Sequence, residues 1–99
     1  MSDSTTATAS IQIDDEQTRV TRWDFPPGTQ TGPHTHEYDY VVVPLSSGTL
    51  TVQTVEGTFD NVLTAGLSYQ RAAGAAHNVV NESDAECSFV EIELKGSPE

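Results

Sequence analysis

Apolar and polar residues alternate along most of the chain, from about residue 11 to residue 95. Such alternation places every second side chain on one face of an extended segment and is typical of half-buried β-strands. In the last run, the even-numbered residues from Ser88 to Leu94 share one face, and the odd-numbered residues from Cys87 to Glu93 share the other. The pattern predicts eight short strands, within residues 11–13, 20–25, 38–43, 49–55, 58–63, 67–71, 77–81 and 87–95.

Turn-forming residues separate these runs. Residues 26–28, Pro-Pro-Gly, end the second strand, and Glu56 with Gly57 predicts a hairpin between the strands on either side. Thirteen Thr and ten Val against five Leu favour strands, because β-branched side chains fit a pleated sheet. We therefore predict an all-β fold, an antiparallel six- to eight-stranded barrel or jelly roll, although composition alone also fits an immunoglobulin-like sandwich.

The length of 99 residues is that of one domain. Residues 1–10 are mostly Ser, Thr and Ala without a periodic apolar pattern, so they are predicted to form a disordered N-terminal tail. The single folded domain is expected to span residues 11–95, and residues 96–99 are expected to form a C-terminal tail.

The charge of the chain bears on its partners and location. Fifteen acidic and four basic residues give a formal net charge of −11, which argues against binding to nucleic acid or to an anionic membrane surface. The longest apolar stretch, residues 40–45, is far shorter than a membrane helix, and the N-terminus does not resemble a signal peptide. With a single cysteine, Cys87, a cytoplasmic protein is expected.

The three histidines are the residues that point to chemistry. His34 and His36 are two positions apart, so both side chains leave the same face of an extended segment. His77 begins another predicted strand, and closure of a barrel can bring it back towards the first two. Three imidazoles suit a divalent transition metal (Fe, Zn, Ni, Mn or Co) and leave coordination positions open for water or substrate.

The stretch from residue 66 to residue 81 resembles the second motif of the cupin family. Gly66, Gly74, His77 and Asn81 stand at the spacing of that motif, and the one departure is Ala72, where the family usually has proline. The stretch from residue 34 to residue 48, which begins His-Thr-His and ends in glycine, resembles the first motif, but the glutamate of that motif is missing.

Three ligand sets are open where that glutamate is absent: three histidines with water, three histidines with Tyr40, or three histidines with Asp39 re-aimed by a bulge. The position of the missing residue falls on Tyr40 or Val41, and the Val41 side chain cannot bind a metal. Without a carboxylate ligand a divalent ion keeps most of its positive charge, which favours an anionic substrate group.

The resemblance covers about residues 11–95 and is strongest to small single-domain bacterial cupins, some of which are named for β-alanine degradation. It implies a six- to eight-stranded barrel with a central metal and a small-molecule ligand, and homodimers are frequent among such proteins. Tyr40 and Arg71 are the candidate catalytic residues. An inward-pointing Arg22 or Arg71 can bind a carboxylate, whereas Glu91 and Glu93 are expected to be solvated, with one of them a possible general base.

The expected function is therefore that of a metal-binding cupin that acts on a small anionic metabolite, either a carboxylate or an amino-acid-like compound. As an enzyme it would be a metal-dependent dioxygenase or a lyase or isomerase. The alternatives are a non-catalytic cupin that binds or senses a small ligand, and a structural protein that keeps the motifs only for folding.

Overall fold

The computed structural model describes residues 5–96 as nine β-strands without a helix. No helix in this range is long and apolar enough to cross a membrane. The predicted all-β fold is confirmed, and each of the eight predicted strands is present. The ninth is the two-residue strand β3. The strands are β1 (Thr8–Asp14), β2 (Thr18–Phe25), β3 (His34–Thr35), β4 (Asp39–Pro44), β5 (Gly48–Thr54), β6 (Gly57–Leu63), β7 (Tyr69–Arg71), β8 (Ala76–Val80) and β9 (Cys87–Leu94).

Two antiparallel sheets face each other across the core. The five-stranded sheet has the order β1-β2-β9-β4-β7, and the four-stranded sheet has the order β3-β8-β5-β6. The last strand, β9, therefore lies in the middle of its sheet, between β2 and β4. The core between the sheets is apolar and includes Phe25, Val42, Leu50, Leu63 and Phe89.

The two ends of the chain extend beyond the described range. Residues 1–4 and 97–99 of the predicted tails lie outside the described residues. Strand β1 begins at Thr8, three residues before the expected start of the folded domain, because residues 8–10 pair with β2. Every residue of β1 is exposed, since the strand lies at the edge of the five-stranded sheet. Its hydrogen bonds to β2, and not burial of its side chains, hold it in place.

Strand β9 has the two faces that the alternation predicts. Cys87, Phe89 and Glu91 are buried, whereas Leu94 on the other face is exposed. The ring of Phe89 lies 5.5 Å from that of Phe25 on β2, measured between centroids. Along the inward face of β9, Phe89 therefore lies in the apolar core, and Glu91, two residues later, lies near the histidines.

Gly48 has a role that the sequence did not indicate. It was expected only to form a turn, but it begins β5, and a Cβ atom there would lie 2.9 Å from Cys87 Sγ. A side chain at this position would therefore collide with the core of the opposite sheet. The predicted hairpin of β5 and β6 is also present, and its turn residues are Val55 and Glu56, one position earlier than expected.

The buried side chain of Asn81 ties three segments together just after β8. Its Nδ2 donates hydrogen bonds to the carbonyl oxygens of Phe25 and Ala85, both at 2.8 Å, and its Oδ1 accepts one from the Ser83 amide at 3.0 Å. Asn81→Ala would leave these groups without their partner inside the protein. We expect the free energy of unfolding to fall by about 3 kcal/mol, measured by urea denaturation, and a loss below about 1 kcal/mol would contradict this.

Candidate metal centre

The three histidines come from two places in the four-stranded sheet. Strand β3 pairs with β8 in a register that sets His34 directly opposite His77. His36 follows β3, and its backbone is held by the loop before β8. Its amide donates to the Ala75 carbonyl at 2.9 Å, and its carbonyl accepts from the Gly74 amide at 2.8 Å. Gly74 has φ +95°, so this loop follows a path that side-chain-bearing residues rarely adopt.

The three rings present the same atom to one point. His36 Nε2 lies 3.2 Å from His34 Nε2 and 3.2 Å from His77 Nε2. The ligand atoms of the three residues all lie within 4.8 Å of one another. The structure thus brings together residues that are up to 43 positions apart in the sequence, as expected from closure of the barrel.

This donor set fits a divalent transition metal. Metal–nitrogen bonds of about 2.0–2.1 Å in a tetrahedral site set neighbouring ligand nitrogens about 3.3 Å apart, which is close to the 3.2 Å between His36 Nε2 and each of the other two. His34 Nδ1 lies 2.8 Å from the Gly32 carbonyl oxygen, which can only accept a hydrogen bond. The proton of His34 is therefore on Nδ1, and the lone pair of Nε2 points towards the other two histidines.

Both His36 and His77 are held in the neutral form that binds metals. Burial, and then the nearby charge of His34, lower the pKa of each from 6.5 to about 4. For His36 the neighbouring His77 contributes as well, and for His77 Arg71 does. Neither ring therefore carries the second proton of an imidazolium, which would compete with a metal, at neutral pH.

Asn78 orients the loop that carries His34, a role that the sequence analysis missed. It is buried, and its Oδ1 accepts a hydrogen bond from the Gly32 amide at 2.9 Å. Its Nδ2 donates to Gln30 Oε1 at 2.6 Å and to Gln53 Oε1 at 3.0 Å. The sequence did contain one indication of this role, since Asn78 is a polar residue next to His77 in an otherwise apolar strand. An amide side chain that is buried in such a strand needs several hydrogen-bond partners.

Tyr40 and Asp39, the two proposed substitutes for the missing glutamate, are placed differently. The ring of Tyr40 stacks on that of His36, with centroids 3.9 Å apart and planes at 22°. Burial, followed by the charge of Glu91, raises the pKa of Tyr40 to about 12, so its hydroxyl keeps its proton. Asp39 is exposed, and its carboxylate accepts a hydrogen bond from the Ala73 amide at 2.8 Å.

A buried carboxyl group on β9 approaches the histidines instead. Glu91 is only 7% exposed, and its Oε2 lies 3.8 Å from His36 Nε2. Burial, with a smaller contribution from Glu93, raises its pKa from 4.5 to about 7, and the Trp23 side chain opposes this rise. The expectation that this carboxyl group is solvated was wrong. The alternation in β9 had placed Glu91 on the same face as Phe89, but acidic residues are rarely buried in so acidic a chain.

The histidines border a cavity of about 400 Å³ between the two sheets. Its wall is mostly apolar and includes Val42, Leu50 and Phe89, while His34, His77 and Glu91 lie on its polar side. A second cavity, of about 440 Å³, reaches the cluster from the side of His36 and Glu37. The cluster is thus accessible from both sides, and Glu91 lines both cavities.

The two candidate arginines differ in their position relative to the cavity and in their ion pairs. Arg71 lines the 400 Å³ cavity between the two sheets and lies over the Tyr69 ring, with Cζ 4.3 Å from the centroid. Among residues 5–96, no carboxylate oxygen lies within 4.0 Å of its nitrogens. Arg22 instead pairs with Asp24, at 3.1 Å, and lines neither cavity, although both arginines are exposed. Of the two candidates, Arg71 is therefore the one that presents a cation without a carboxylate partner to the cavity.

Comparison with known proteins agrees with this architecture. The model of the Cupin_2 family, described as a cupin domain, matches residues 21–93. The chain is 49% identical over 89 residues to the β-alanine degradation protein BauB of Pseudomonas aeruginosa, which covers 90% of this chain and 94% of that protein.

Two solved structures are similar as well. A cupin domain from Bordetella pertussis Tohama I has a TM-score of 0.91 and 49% identity, over 97% of this chain and all of that one. A conserved double-stranded β-helix protein from Klebsiella pneumoniae has a TM-score of 0.77 at 19% identity, over 100% of this chain and 85% of that one, which shows a shared fold.

Proposed function

The chain belongs to the cupin-domain family, and on this basis we propose that it binds a divalent transition metal through His34, His36 and His77 and acts on a small anionic metabolite. The observation that carries this proposal is the convergence of three Nε2 atoms beside a largely apolar cavity. Fe, Zn, Ni, Mn and Co all suit such a donor set, because imidazole ligands do not select strongly among them.

A metal bound there would supply Lewis-acid chemistry, or oxygen chemistry if it is iron. The side chains of the chain itself would bind and orient the metabolite. The cavity wall is mostly apolar, and Arg71 presents a positive charge that can pair with a carboxylate. Tyr40, stacked on His36, keeps that ring in position and lines the same cavity. The arrangement suits a compound of a few carbon atoms with an anionic end.

The name of the Pseudomonas relative suggests the class of compound. That protein is named for β-alanine degradation, and β-alanine is a small amino acid with a carboxylate. We propose the same chemical class for this chain, an amino-acid-like or simple carboxylate, with its carboxylate on Arg71. A ligand-binding or regulatory cupin without turnover would use the same contacts, and product formation separates it from an enzyme.

Isothermal titration of the Zn²⁺-loaded protein with β-alanine, propionate and malonate tests this proposal. We expect at least one of the three to bind, and we expect Arg71→Gln to weaken its binding by about 10- to 100-fold, because a hydrogen bond to a charged group contributes about 1.5–3 kcal/mol. Propionamide, which carries no charge, should bind more weakly than propionate to the unaltered protein.

Arg22→Gln is the matched control, because it removes the same charge from a side chain that is paired with Asp24 and exposed. We expect this variant to bind carboxylates like the unaltered protein. Equal effects of the two substitutions would mean that only the overall charge matters. Failure of all three carboxylates to bind to the metal-loaded protein would contradict the proposed ligand class.

The homodimer and the cytoplasmic location stay predictions. Two exposed isoleucines on the edge strand β1, Ile11 and Ile13, are consistent with contact to a second copy of the chain.

A further inference from the structure

Glu91 is a buried acidic residue for which the protein itself supplies no cation. Within the described part of the chain, no lysine or arginine nitrogen lies within 4.0 Å of its carboxylate. The nearby Arg19 pairs with Glu93, at 3.3 Å, and lies 3.7 Å from Asp14. Burying an ionised carboxylate without a positive partner costs several kcal/mol, so such groups usually contact a cation or a metal.

A nitrogen of the histidine cluster lies close to this carboxylate. Glu91 Oε2 lies 3.8 Å from His36 Nε2. Ligand atoms that share one tetrahedral ion, at about 2.0–2.2 Å from it, lie about 3.4 Å apart. The observed separation from His36 Nε2 exceeds this spacing by about 0.4 Å, so a rotation of the Glu91 side chain towards the histidines is needed for it to share their metal.

We propose that Glu91 is the fourth metal ligand of this protein and replaces the glutamate that is missing from the first cupin-like motif. The carboxylate would come from the last strand, β9, and not from the segment that follows His36. The sheet order permits this exchange, because β9 is hydrogen-bonded directly to β4, and residue 91 pairs with Val42 there. This inference rests on the proposed three-histidine metal site and extends it.

The other two oxygen donors considered for the site, those of Tyr40 and Asp39, have contacts of a different kind. The Tyr40 ring is stacked face to face on His36, which is a packing contact. The Asp39 carboxylate is occupied by the Ala73 amide and is exposed to solvent. A glutamate ligand also offsets one positive charge of a divalent ion, which leaves the cation of Arg71 as the principal attraction for an anionic metabolite.

The test compares Zn²⁺ affinity in Glu91→Gln and Glu93→Gln, measured by competition with a chelator. The two glutamates lie on the same face of β9, and both substitutions remove one negative charge. We expect Glu91→Gln to weaken Zn²⁺ binding by more than about 100-fold, because loss of a direct ligand exceeds the 10- to 100-fold effect of groups that only orient ligands. Glu93→Gln should stay within about threefold of the unaltered protein.

The visible spectrum of the Co²⁺-loaded protein gives a second measurement, because its d–d bands depend on ligand number and type. Glu91→Gln should change these bands, whereas Glu93→Gln and Tyr40→Phe should not. Far-UV circular dichroism shows whether each variant is folded. If Glu91→Gln does not fold, Glu91→Asp is used, which keeps the charge but shortens the side chain, and it should show a changed spectrum and weaker binding.

The possible outcomes separate the two proposals. If the unaltered protein binds no Zn²⁺, the proposed function itself fails. If it binds Zn²⁺ and the Glu91 variants have unchanged affinity and spectrum, the three-histidine metal site is retained and the role of Glu91 as a ligand is overturned. Loss of affinity in Tyr40→Phe instead of the Glu91 variants would assign the fourth position to the tyrosine and also overturn the inference.

Discussion

His36→Ala/His77→Ala should reduce the metal content of the reconstituted protein from about one ion per chain to less than about 0.2. These substitutions remove two of the three converging nitrogens, and the remaining His34 offers one ligand, which cannot hold an ion by itself at micromolar concentration. Elemental analysis after reconstitution and gel filtration gives the content directly. The melting temperature should also stop rising with added Zn²⁺, because a ligand stabilises the folded state only if it binds there.

Thr35→Ala is the control for this experiment. Thr35 lies between His34 and His36, but its side chain is exposed, since the strand sends alternate residues to opposite faces. This variant should load like the unaltered protein. Less than about 0.2 ion per chain in the unaltered protein, or unchanged loading in the double variant, would refute the metal centre.

The second large effect is a loss of stability of the metal-free protein at acidic pH. The folded-state pKa of His36 and of His77 is about 4, below the 6.5 of an unfolded histidine. The unfolded chain therefore binds more protons between these values, and stability is present above pH 6.5 and is lost as the pH falls towards 4. Each histidine contributes about 2–3 kcal/mol, and the pair less than twice that, because the value for His36 already includes repulsion by His77.

Glu91 acts in the opposite direction. Its pKa is about 7 in the folded protein against 4.5 in the unfolded chain, so it adds stability as the pH falls through 7. The measurement therefore compares the metal-free unaltered protein with His36→Ala/His77→Ala, since both carry Glu91. The difference between their free energies of unfolding, from urea denaturation, should fall by about 3–5 kcal/mol from pH 7.5 to pH 4.5. A difference that does not change with pH would show that these rings are not held neutral.

Much of the fold follows from patterns that are local in the sequence. Alternation predicts the strands because side chains in an extended segment point to opposite faces in turn, and that rule needs no knowledge of partners. The same rule sets His34 and His36 on one face and places Glu91 on the face of Phe89. The spacing of the second motif, from Gly66 to Asn81, was sufficient to indicate the family.

The sequence alone did not determine which side chains meet across the two sheets. Glu91 was expected to be in solvent, because the position of β9 between β2 and β4 depends on hydrogen bonding between strands that are far apart in the chain. Arg22 and Arg71 looked alike as candidate carboxylate ligands, and only their faces and neighbours distinguish them.

The sequence by itself therefore determined the strands, the family and the three histidines, since each depends on residue type and on spacing within one or two segments. The tertiary structure decided the rest: the Tyr40 ring stacked on His36, the unpaired charge of Arg71 at the cavity, and the carboxyl group of Glu91 beside the histidines. These contacts join residues that are 4 to 55 positions apart in the sequence. Their distances are set by the packing of the two sheets, which cannot be predicted from local periodicity.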